Sequence, residues 1–140
     1  MRLAALLLSG VLAGFVPRTQ EADDVRFAVV EVRVDSGGVE LAAWQVELVD
    51  PTGRATVVGV EGGAEPWSEP PRYDPAALRG GRIVLAAFLL EGARAGEQQV
   101  ARVHLAIEGG APVALDRELV VAAAPGGDPV EGARLEVSEG

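Results

Sequence analysis

The chain is 140 residues long, the size of one domain, and sets 12 cationic side chains, all Arg, against 21 Asp and Glu for a net charge of −9, with no Lys, Asn or Cys. Those figures exclude a disulfide framework, a thiolate metal site and a cysteine nucleophile, and they argue against nucleic acid, whose phosphates are bound by basic patches. With 18 Gly, 9 Pro and only 4% aromatics, the core has to come from Val, Leu, Ala and Ile on short strands joined by tight turns.

The first element is a targeting segment. Met1-Arg2 precedes the apolar run LAALLLSGVLAGFV from Leu3 to Val16. As a helix this run would reach roughly 21 Å at about 1.5 Å per residue, short of the roughly 20 residues that span a bilayer but suited to a secretory signal. Polar residues from Arg18 to Asp24 follow. Residues 1–20 are therefore expected to be an export signal, without a clean A-x-A cleavage motif. The remainder, a domain over 25–138, is expected to be secreted, periplasmic or extracellular, with no stable membrane span.

From there the sequence alternates. Val30, Val32 and Val34 fall on one side of a strand from Val25 to Val34, with Glu31 and Arg33 on the other. From Val39 to Val49, Trp44, Val46 and Leu48 share a face opposite Gln45 and Glu47. Asp50-Pro51-Thr52-Gly53 reads as a turn, and Arg54 to Glu61 as the next strand. Pro66, Pro70 and Pro71 make Gly62 to Arg72 a loop. Asp74 caps a single helical turn that starts at Pro75. Further strands are expected at Arg82–Leu90, around Val103, Leu105 and Ile107, at Leu115–Ala123 and around Leu135 and Val137. Five Gly-Gly pairs, among them Gly62-Gly63 and Gly109-Gly110, punctuate the series. Period-two alternation means sheets with one face on a core and one in water. The expected fold is all-β, an antiparallel β-sandwich of jelly-roll topology with eight or nine strands.

One strand departs from alternation. Ile83 to Leu90 (IVLAAFLL) is apolar at both parities, with Val84, Ala86, Phe88 and Leu90 on the second face. Either the loop carrying Trp67 folds over that face, or it is an exposed strip that docks another protein. Trp67 and Tyr73 are a second candidate pair: they could stack on a sugar or anchor an interface, or plug one end of the sandwich. Catalytic signatures are missing. The single His104 sits on a polar strand face, and Ser36, Ser68 and Ser138 lie outside any G-x-S-x-G motif. No metal-ligand, Walker or dinucleotide motif occurs. No cofactor is expected; Asp23, Asp24 and Asp35 are Ca²⁺ ligands by residue type only, since their spacing matches no calcium loop.

In order and spacing, VRVDSGGVELAAWQVELVDPTGRATVVGVEGG (Val32–Gly63), GGRIVLAAFLLEG (Gly80–Gly92) and VARVHLAIEGG (from Val100) resemble a cohesin domain. The matching features are Val32/Val34, Gly37-Gly38, Trp44/Val46/Leu48, Asp50-Pro51 and Val57/Val58/Val60 before Gly62. Val49 stands where the family usually has Tyr or Phe before Asp-Pro. The resemblance implies a nine-stranded jelly roll that is not an enzyme and that binds a dockerin-like module through a sheet face. No dockerin-contact residue is carried over. The expected function is thus an exported, non-catalytic protein-binding module using Val84, Ala86 and Phe88, the alternative being a small carbohydrate-binding module that takes polysaccharide through Trp67 and Tyr73.

Overall fold

Alternating Val and polar residues build seven strands in the structure, a computed structural model that describes residues 24–140. The expected export segment, 1–20, and Asp23 lie outside the described residues. The strands are β1 (Val25–Asp35), β2 (Leu41–Val49), β3 (Ala55–Gly62), β4 (Arg82–Ala93), β5 (Glu97–Glu108), β6 (Asp116–Ala123) and β7 (Arg134–Glu139). They form two antiparallel sheets, one in the order β3-β5-β1-β7 and the other in the order β4-β2-β6. Odd strands make the first sheet and even strands the second, so no two consecutive strands are neighbours and each connection crosses the sandwich. The expected β-sandwich is present, with seven strands rather than eight or nine; the stretch between Gly62 and Arg82 is, as expected, a loop followed by a helical turn, the 3₁₀ turn Pro75–Arg79. As its sequence requires, Asp74 Oδ1 accepts from the Ala76 N–H at 3.0 Å.

The core lies between the sheets and follows the parity of the sequence. Val30, Val32 and Val34 from β1 and Val103, Leu105 and Ile107 from β5 meet Trp44, Val46 and Leu48 from β2 and Ile83 and Leu85 from β4, all buried. Burial of such side chains contributes roughly 1.5–3 kcal/mol each, which is how a domain with no cysteine can hold together. On β7 the parity is kept but the burial is partial, because this is an edge strand paired only with Val30–Asp35 of β1.

Two glycine pairs serve different ends. Gly109 and Gly110 turn the chain out of β5 with φ of 69° and 64°, a left-handed conformation that costs glycine little. Gly62 and Gly63 are needed for space. A Cβ on Gly62 would lie 2.1 Å from Ser68 O, and one on Gly63 would lie 2.0 Å from Gln99 O. That close approach lets the proline-rich loop seat against β5, where Ala64 N–H donates to Gln99 O and Gly63 N–H to Trp67 O.

The turn at Asp50 is tied as tightly. One carboxylate oxygen accepts from the Thr52 N–H at 2.8 Å and the Thr52 hydroxyl at 2.7 Å, and the other accepts from the Ala55 N–H at 2.5 Å. Burial pushes the Asp50 carboxyl upward, but these hydrogen bonds outweigh it and hold the group below the ordinary carboxylate range.

Candidate binding surface

Trp67 enters the core. It is 3% exposed, its ring stands edge-on to Trp44 with centroids 6.3 Å apart, and its indole N–H donates to Gln98 Oε1 at 2.7 Å. The Pro-rich loop thus delivers a plug to one end of the sandwich and does not present the ring for stacking. Tyr73 is half-buried and packs against the core margin. These two aromatics therefore make no flat exposed platform.

Beyond Trp67 the loop meets the edge of β4, not its face. Arg72 and Ala86 exchange both backbone hydrogen bonds, at 2.8 and 3.0 Å. Extending that antiparallel register places Pro70 opposite Phe88, and proline has no N–H to donate, so the ladder stops. The exchange also fixes the pairing on the other side of β4. Since the Ala86 N–H and C=O turn toward Arg72, Ala86 and Gln45 form a non-hydrogen-bonded pair, and so do Phe88 with Ala43 and Val84 with Glu47. Such pairs hold their side chains closest together across the strands, with Cα atoms about 4.5 Å apart.

The outer face of β4-β2-β6 can therefore be read as rows. Phe88, Ala43 and Ala123 make the first; Ala86, Gln45 and Val121 the second; Val84, Glu47 and Glu118 the third; Arg82, Val49 and Asp116 the fourth. Val84 and Ala86 are half-buried, Phe88 is 62% exposed, and Leu90, just past the first row, is 91% exposed. The structure thus places Val84, Ala86 and Phe88 together on one face, with the buried Trp67 lining the groove that borders Ala86 and Phe88, and Tyr73 packed at the core margin. Sequence reasoning did not single out Val120 and Val121, which are 45% and 40% exposed on β6. A register shift at Gln45/Val46 leaves Val120 without a directly paired residue on β2, and both valines face water, against strict alternation. The adjacent Val-Val in a strand otherwise opening with Asp116, Arg117 and Glu118 was the available signal.

The opposite outer face is built differently. On β3-β5-β1-β7, Arg33 pairs with Glu31 and lies 3.7 Å from Glu97, Arg134 meets Asp35 at 3.3 Å, and His104 Nε2 meets Glu61 Oε2 at 2.7 Å. The hydrogen bond to His104 lowers the pKa of the Glu61 carboxyl. This is a solvated face laced with ion pairs, each contributing about 0–1 kcal/mol. Its exposed Phe27 stands near the start of β1, across from Ala106. On the three-stranded face only Arg82 and Glu47 pair, at 2.9 Å, and that hydrogen bond lowers the Glu47 pKa and raises that of Arg82. Glu118 and Asp116 form no ion pair among the described residues.

Beside Phe88 the face runs into a groove of about 450 Å³ walled by Pro70, Pro71 and Leu89. No group of three or more His, Cys, Asp or Glu among the described residues is placed to hold a metal ion, and no helix among them is long and apolar enough to cross a membrane. Comparison with protein-family models, curated proteins and solved structures finds no match to the chain.

Proposed function

We propose that this domain is an exported, non-catalytic binding module of cohesin type that docks a protein partner through the outer face of β4-β2-β6. The observation that carries the proposal is one apolar row across all three strands, Phe88, Ala43 and Ala123, flanked by Ala86 and Val121 on either side of Gln45, with Phe88 and Val121 exposed and the alanines half-buried. Apolar patches that cross a whole sheet face are uncommon on monomers and mark interaction sites. Sheet faces in water are ordinarily polar; the other outer face carries ion pairs beside its exposed Phe27 and Val58.

Immobilised protein exposed to the proteins exported by the same cell should retain a specific partner, and Phe88→Asp should release it while leaving the fold intact. Soluble glycans should not compete. Retention of a polysaccharide that Tyr73→Ala abolishes and Phe88→Asp leaves unchanged would contradict the proposal.

A further inference from the structure

The charge pattern of the same face narrows its occupant. Rows lie about 6.8 Å apart along the strands, so the apolar end at Phe88 and Val121 passes within about two rows into an end that carries Glu118 and Asp116 without ion-pair partners. Of the cations around it, Arg82 is engaged by Glu47 at 2.9 Å, Arg117, between the two acids on β6, donates to Val137 O at 2.9 Å, and Arg72 stands opposite Ala86 at the far edge of the apolar end. A second copy of the chain fits poorly: it brings a net charge of −9 and, face to face, the same unpaired acids. We infer that the partner is a cationic protein segment lying along the strands, apolar where it crosses Phe88 and Val121 and bearing Arg or Lys where it passes Glu118 and Asp116. This rests on the docking proposal above and adds the chemistry of the partner to it. Opposite charges arranged in this way select partners and set orientation more than they add affinity.

The test uses two short blocked peptides with identical apolar residues, one with Arg and one with Glu at the polar positions, titrated into ¹⁵N-labelled protein. The Arg peptide should shift amide resonances of β4 from Val84 to Phe88 and of β6 from Asp116 to Val121, and the Glu peptide should leave them in place. Replacing both acids (Asp116→Arg with Glu118→Arg) should weaken the Arg peptide about tenfold, and added salt should weaken it in the unmodified protein. Equal shifts from both peptides overturn the charge inference and leave the docking face standing. If neither peptide shifts these strands and sedimentation shows a dimer that Phe88→Asp dissociates, the occupant is a second copy and the inference is wrong. If neither shifts them and the protein stays monomeric, both the inference and the docking proposal fall.

Discussion

Asp50 is the residue on which most local order depends. Its carboxylate satisfies two backbone N–H groups and one hydroxyl at the β2–β3 turn, so Asp50→Ala leaves the buried Ala55 N–H unpaired and should cost about 1–3 kcal/mol, read as a lower denaturant midpoint with an unchanged slope. The pH dependence has a definite sign. Because the folded pKa lies below the unfolded value of about 3.9, the contribution is fully present above that value and is lost as pH falls through the folded pKa. Asp50→Asn should flatten the acid limb of the stability curve, measured by urea titration at stepped pH. Gly63 makes a second residue-scale case. Gly63→Ala drives a Cβ into the backbone of Gln99 and should cost about 2–4 kcal/mol. Gly38→Ala, with open space around the new Cβ, should cost under about 1 kcal/mol by the same assay. Trp67 is checked by light: with both tryptophans buried, emission should be blue-shifted and resistant to iodide, and a quenched, red-shifted spectrum would contradict the plug.

At the scale of elements, β1, β2 and β5 were legible in the sequence because each has one wet face, and one wet face enforces strict alternation. β4 was legible as an exception for the same reason, and its second apolar parity is the feature that led to the binding surface. What the sequence did not disclose are the breaks in period. Bulges at Val32/Arg33, Val57/Gly59 and Gln45/Val46 shift register without a residue type that announces them, and the last of these hid the contribution of Val120 and Val121. The destination of Trp67 stayed open in the sequence between a surface anchor and a plug, because it depends on Gly62 and Gly63 admitting the loop against β5, a contact across the fold. Trp67→Ala should therefore behave as a core truncation, costing about 3–5 kcal/mol, with Gly63, Ala64 and Trp67 amides losing protection from hydrogen exchange together.

For the whole molecule, the asymmetry between the two outer faces is the main result. One sheet carries ion pairs through Arg33, Arg134 and His104; the other leaves one apolar row across its three strands and, among the described residues, two acids without ion pairs. The sandwich supplies the platform for that face through the buried inward residues of β2 and β4, Trp44, Val46, Leu48, Ile83 and Leu85. Substitutions on the open face should then separate binding from stability: Phe88→Asp should change the unfolding free energy by less than about 0.5 kcal/mol while removing the partner. The most direct measurement is a hydrogen-exchange and cross-saturation footprint of the protein bound to its captured partner. It should map to Val84, Ala86 and Phe88 of β4 and to Glu118–Val121 of β6. A footprint on the ion-paired face around Phe27, Glu31 and His104 would contradict the account.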